Sequence, residues 1–155
     1  MGGPVLLVGL AVALGAAAHR PPPEPIRWRT DEAAALDESR RSGRPILVDA
    51  WADWCAGCKL LDRNTWSDPA VREEVQAHFV PVRLDVSAEG SAAEVRVRAL
   101  DVSALPAILV CSSTGCDGAA PRSVGYVSAA EMLAFLRQSR TRHPHGESSN
   151  QAVRR

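Results

Sequence analysis

The sequence is short of lysine and aromatic residues and carries no excess charge of either sign. Lys59 is its only lysine and Tyr126 its only tyrosine, while lysine plus arginine (18) balances aspartate plus glutamate (18). A neutral chain makes no broad field to gather nucleic acid or anionic lipid, so neither is an expected partner. Also missing is an uninterrupted apolar run of the roughly 20 residues that a spanning helix needs. No internal repeat is visible, and 155 residues leave room for one globular domain with flexible ends, not for two.

What is present divides the chain unevenly. Pro4 to Ala18 is uncharged and apolar and ends in Ala16-Ala17-Ala18, the pattern of an export signal with a small-residue cleavage site. The residues before it contain no Lys or Arg, so an uncleaved membrane anchor is a second reading and a buried helix a third. Residues 1–18 are thus expected to be a signal peptide or N-terminal anchor. Residues 19–25, with four prolines between Arg20 and Pro25, are expected to be an extended linker. Either leading reading puts the globular part in a periplasmic or other extracytoplasmic compartment, where disulfides persist. Membrane contact is then expected only through an uncleaved N-terminal segment. From Ser139 to Arg155 the chain is polar and has little to bury, so a disordered tail is expected there, and His143 and His145 read as incidental.

Between residues 26 and 138 the pattern alternates. Ile26-Arg27-Trp28 reads as a short edge strand, and Thr30 as the N-cap of a helix running to Ser42 and closed by Gly43. Pro45 to Trp51 is apolar and β-branched, which suits a buried strand whose single charge, Asp49, stands out. Cys55 to Trp66 has helical periodicity with Leu60 and Leu61 inward, and Ser67 with Pro69 restarts a helix. Phe79 to Val86 is the next strand, followed by a helix from Ser91 to Leu100 with Val95 and Ala99 inward. Pro106 to Cys111 is another buried strand, and Arg122 to Tyr126 returns beside it as in a hairpin. Ser128 caps a last amphipathic helix carrying Met132, Leu133 and Leu136. The order β-α-β-α-β-α-β-β-α predicts an α/β fold with a central mixed sheet and helices on both faces.

Cys55-Ala56-Gly57-Cys58 lies where a strand hands over to a helix. That position sets the first cysteine at the positive end of the helix dipole beside free backbone N–H groups, and both effects stabilise a thiolate. The i, i+3 spacing brings the two sulfurs within bridging distance, so the pair can alternate between dithiol and disulfide. Cys55 is expected to be the exposed attacking thiol, and Cys58, one turn deeper, the resolving thiol. A C-x-x-C is also half of a four-sulfur zinc site, with Cys111 and Cys116 as the other half in that reading. Against this, Cys111 sits in an apolar strand, the first pair follows a buried strand, and its context is aromatic. A structural disulfide between Cys111 and Cys116 is the expected arrangement, with a buried free thiol as the alternative.

The run PILVDAWADWCAGCK resembles the active-site region of the thioredoxin superfamily. WADWCAGCK, NTWSDPAV, LDVSAEG, LPAILV and VGYVSAAEMLAFL are together most similar to the C-terminal thioredoxin-like domain of the thiol:disulfide interchange protein DsbD, over about Ile26 to Gln138. The resemblance implies a thioredoxin fold and chemistry that needs no bound cofactor or metal. It implies that Asp49 is the buried acid that moves the proton of the resolving cysteine, and burial in an apolar strand independently argues for a raised pKa. A salt-bridged or solvent-reaching aspartate is the alternative. Asp62 falls where the DsbD-like domain carries a longer glutamate near its active site. Pro106 matches the cis-proline beside the disulfide, which leaves the Leu105 backbone to pair with an extended substrate. Trp54 is expected to shield the reactive sulfur and offer an apolar docking surface, next to Ala56 and Gly57, and Trp51 to be core.

The expected function is a thiol:disulfide oxidoreductase, in the direction of a protein-disulfide reductase because the Ala56-Gly57 dipeptide lacks the histidine of strongly oxidising relatives. Its expected partners are disulfide-containing proteins and a thiol electron donor. DsbD-like proteins draw electrons through a multi-helix membrane domain that this sequence does not contain, so a separate donor such as a membrane reductase is expected. A thiol oxidase or disulfide isomerase is the nearest alternative, and a copper- or zinc-holding assembly factor a more distant one.

Overall fold

The computed structural model describes residues 23–142, so the leader, most of the linker and the end of the tail lie outside the described residues. Nine elements follow in order: α1 (Glu32–Ser42), β1 (Ile46–Trp51), α2 (Ala56–Asn64), α3 (Pro69–His78), β2 (Val80–Asp85), α4 (Ala92–Ala99), β3 (Ala107–Cys111), β4 (Arg122–Val124) and α5 (Ala129–Arg142). The four strands form one mixed sheet in the order β2-β1-β3-β4. β1 is parallel to β2 and antiparallel to β3, which is antiparallel to β4. None of the described helices is long and apolar enough to cross a membrane.

β3 is a continuous apolar run and β1 is apolar but for Asp49, because both faces of these central strands are covered. Side chains alternate along β1. Val48 and Ala50 enter a cluster with Ala35 of α1 and Val97 and Leu100 of the α4 region. Leu47 enters the opposite cluster with Leu61 of α2, Val71 and Val75 of α3, and Met132 and Leu136 of α5. Burying each large aliphatic side chain stabilises the fold by about 1.5–3 kcal/mol before entropy is counted, so this two-sided burial holds β1 and the loop that follows it in place.

The element boundaries correct several expectations. Ile26 to Trp28 forms no strand; the edge contact is one residue later, a single parallel bridge between Arg29 and Val82. The N-cap of α1 is Asp31, not Thr30, and its carboxylate accepts from the Ala34 N–H at 3.0 Å. Asp68, not Ser67, caps α3 by accepting from Ala70 and Val71, since Pro69 at the first helical position fixes the cap one residue before itself. In α2, Leu61 is buried but Leu60 is exposed. In α4 the inner positions are Val97 and then Leu100, while Val95 is 63% exposed and Ala99 is exposed. That helix is turned by about half its circumference from the expected facing, because Leu100 at its end fixes which stripe meets the sheet. Ser128 and Glu131 do form a capping box on α5. That helix continues to Arg142 with Ser139 buried, four residues beyond the expected boundary.

Candidate active site

β1 ends at Trp51 and the chain turns through Ala52 to Trp54, closed by the Cys55 N–H donating to the Ala52 carbonyl at 3.1 Å. Cys55 is the N-cap of α2, with an extended backbone (φ −81°, ψ 103°), and its Sγ accepts from the Cys58 N–H at 3.1 Å. No acidic residue occupies the first turn of α2. The sulfur thus sits at the helix terminus with an N–H on it and no nearby negative charge on the helix, the arrangement that favours a thiolate when the pair is reduced. In this structure Cys55 and Cys58 are joined as a disulfide with Cα atoms 5.3 Å apart. Cys55 is 6% exposed and Cys58 0%. The order of depth is the expected one, but Cys55 is far less open than expected because it lies within the cluster of Ala52, Val102 and Leu105.

Pro106 follows Leu105 through a cis peptide bond and packs on Gly57. A Cβ at position 57 would come within 2.9 Å of Pro106 Cδ, so only glycine admits this approach. Trp54 is 64% exposed and stands free of the core. It borders a groove of about 310 Å³ whose wall includes Val86, Val97, Val102, Ser103 and Leu105. Trp54, Gly57, Leu105 and Pro106 are therefore gathered around the disulfide, and Ala56 opens α2 beside them.

Asp49 is completely buried on β1. Its Oδ2 accepts from Arg83, with Nε at 2.9 Å and a terminal guanidinium nitrogen at 2.7 Å. Burial pushes the carboxyl up to about 6 from 3.8, and the nearby Arg83 guanidinium pulls it back only in part. The acid is thus both salt-bridged and raised, combining the two readings that the sequence set against each other. Asp62 shares that arginine. Its carboxylate accepts from Arg83 at 2.6 Å and from the Trp51 indole at 3.0 Å. Arg83 itself was invisible as a site residue, although a lone arginine in the apolar run FVPVRLDV must find a buried partner. The parallel register supplies it by setting Asp49 beside Arg83.

Cys111 and Cys116 are joined as a second disulfide, with Cα atoms 4.7 Å apart. Cys111 pairs with Ile46 at the beginning of β1, whereas Cys55 follows the end of that strand. The four sulfurs lie at opposite ends of the sheet and do not converge on one metal site.

Residues 27–112, more than half of the chain, match the family model described as thioredoxin-like. The chain is 33% identical over 127 residues to the thiol:disulfide interchange protein DsbD 1 of Pseudomonas aeruginosa, covering 79% of this chain and 21% of that relative. The solved C-terminal domain of Neisseria meningitidis DsbD superposes in its oxidised form with a TM-score of 0.61 at 24% identity, over 74% of this chain and 100% of that one. Its reduced form gives 0.59 at 26% identity, over 70% and 92%. The chain spans about a fifth of the length of the curated relatives it matches. By its sheet order, its cysteine pair at the head of α2 and these matches, the chain belongs to the thioredoxin-like family.

Proposed function

We propose that the chain is a thiol:disulfide oxidoreductase that works as a protein-disulfide reductase on extracytoplasmic partners. The observation that carries this reading is Cys55 as the cap of α2, with the Cys58 N–H on its sulfur and Cys58 within bridging reach. In the reduced protein the Cys55 thiolate attacks a substrate disulfide, forms a mixed disulfide and expels one substrate thiol. Cys58 then attacks Cys55, releases the second substrate thiol and leaves the Cys55–Cys58 disulfide. Two electrons pass to the substrate, and a thiol donor, in our reading a membrane reductase, restores the dithiol.

Substrate is read as an extended segment lying across Trp54 and pairing with the Leu105 backbone at the Pro106 loop. An extracytoplasmic setting is supported by the apolar leader and by the second disulfide, a bond that reducing compartments rarely keep. Direction rests on the Ala56-Gly57 dipeptide and on potential, where about 30 mV is a tenfold change in equilibrium.

The test is to reduce the protein, mix it with insulin, and follow chain precipitation while measuring the Cys55–Cys58 potential in glutathione buffers. Insulin reduction with a potential below that of the glutathione couple is expected. A potential near that of the most oxidising family members turns the reading to a thiol oxidase, and no exchange at all ends it.

A further inference from the structure

Between the end of α4 and the cis peptide bond at Pro106 runs a loop with almost no bonds of its own. Ser103, Ala104 and Leu105 take part in no hydrogen bond among the described residues, and Ser103 and Ala104 are exposed. Their backbone groups are open, and hydrogen bonds hold the loop only at its two ends. Yet Val102, Ser103, Ala104 and Leu105 form one wall of the groove beside Trp54. Downstream, the Pro106 carbonyl accepts from the Gly125 N–H at 2.8 Å. Upstream, the loop depends on how α4 is closed.

The Val102 N–H donates to the Val97 carbonyl at 3.2 Å and the Asp101 N–H to the Arg98 carbonyl at 2.9 Å, the paired bonds of a Schellman turn. Such a turn needs a left-handed residue, and Asp101 fills that place at φ 57°, where glycine would carry no side-chain clash. The Leu100 and Asp101 carbonyls are left without a backbone partner among the described residues. Arg122 takes both, its Nη1 donating to Leu100 at 3.0 Å and to Asp101 at 3.2 Å. Its Nη2 donates to the Gly118 carbonyl, and its Nε to that of Ala120 at 3.4 Å. Every hydrogen bond of this half-buried guanidinium thus goes to a backbone carbonyl. A cation over the last carbonyls of a helix is also favoured by the helix dipole.

We propose that Arg122 is a positioning residue for substrate docking: it fixes the turn at Leu100 and Asp101, so that Val102 to Leu105 present an ordered wall and an open backbone to the substrate segment. The proposal rests on the reading above in which that segment crosses Trp54 and pairs at Leu105. β4 sets where the guanidinium stands. Arg122 pairs with Leu109, whose side chain belongs to the cluster that α4 covers, and residues directly opposite on neighbouring strands point to one face. Arg122 therefore rises on the α4 side, while Gly125, just past the end of β4, meets Pro106. One short edge strand grips both ends of the loop. None of the Arg122 bonds reaches α2 or Cys55, so its loss is expected in binding and not in the chemistry of the sulfur.

The experiment measures kcat and KM for insulin reduction, with dithiobis(nitrobenzoate), a small aryl disulfide that has no segment to lay in the groove, as the reference substrate. Arg122→Met is expected to raise KM for insulin about fivefold, with kcat and the rate on the aryl disulfide each changed by less than about twofold. In an Asp101→Gly background the left-handed turn is at ease without the arginine, so the same substitution is expected to raise KM by less than about twofold. Arg122→Lys keeps the charge but not the fork, and it serves if the methionine variant does not fold. It is expected to give a smaller rise that the glycine background again reduces. The proposal is overturned if kcat falls at constant KM, if both disulfides are slowed alike, or if the glycine background leaves the rise undiminished. Failure of the exchange reading is separate, since it appears as wild-type protein that reduces neither disulfide, and failure of the docking reading as a KM for insulin that Trp54→Ala does not move.

Discussion

The two disulfides occupy opposite ends of the same strand pair and are built for opposite purposes. At one end Cys55 heads a helix, an N–H rests on its sulfur, a raised acid lies in the strand that leads to it, and Trp54, Val124 and Tyr126 stand exposed. Gly125 ties this edge to the site by donating to the Pro106 carbonyl at 2.8 Å. At the other end Cys111 closes β3, and Cys116 ends a polar turn of Ser112, Ser113, Thr114 and Gly115 held by its own hydrogen bonds. That end has no helix terminus at its sulfurs and no large exposed apolar side chain within its turn. Identical bonds therefore acquire different roles from the backbone and charges around them. The lesson is that spacing nominates a cysteine pair and its surroundings decide what the pair can do.

The sharpest way to break this contrast is to remove one sulfur from each end. Cys55→Ser is expected to abolish insulin reduction, because Cys58 is fully buried and cannot reach a substrate alone. Exchange that survives in Cys55→Ser and vanishes in Cys111→Ser would reverse the assignment of the two ends.

Asp49 is the next largest difference. Asp49→Asn removes the proton acceptor and is expected to slow resolution on the order of 10²-fold, read by stopped flow, with the first attack by Cys55 little changed. Wild-type resolution is expected to fall as the pH drops below about 6, where Asp49 takes its proton. Stability moves the other way. Burial raises the folded-state value above 3.8, so this group's stabilisation is fully present below 3.8 and lost as the pH rises through about 6. Wild type and Asp49→Asn, compared by urea denaturation at pH 4 and pH 8, are expected to differ in pH slope by up to about 3 kcal/mol.

How far the sequence foretold this contrast depends on distance along the chain. The C-x-x-C turn, the buried acid and the paired strands were legible because each depends on residues close together or on a simple period. Arg83 was not, since its meaning comes from the parallel register that sets it beside Asp49, 34 residues away. Asp62 was placed near the active site by resemblance alone, and its partners Trp51 and Arg83, which come from other elements, were not foreseen. The facing of α4 was missed because its apolar residues fit two stripes, and only packing against the sheet selects Val97 over Val95.

The Cys111–Cys116 bond should matter to stability alone. Replacing both residues by serine is expected to cost about 2 kcal/mol, the loop-entropy value for so short a ring, while exchange at the other end stays within about twofold. Thermal denaturation and insulin reduction of the same preparation check both halves. A variant that keeps its stability but loses exchange would show that the far end is coupled to the near one.

The smallest effect concerns the exposed surface that only the reactive end possesses. Trp54 contributes little to the core at 64% exposure, so Trp54→Ala should leave the melting temperature nearly unchanged. Its ring borders the groove beside Val86, Val102 and Leu105, where a substrate segment would cover it. Losing that contact is expected to cost about 1 kcal/mol of binding, which is roughly a fivefold rise in KM for a peptide disulfide with kcat retained. A fall in kcat at constant KM would mean that the indole governs the sulfur and not the docking of substrate. The exposed ring would then belong to the machinery of the bond, and the contrast between the two ends would lie wholly in electrostatics.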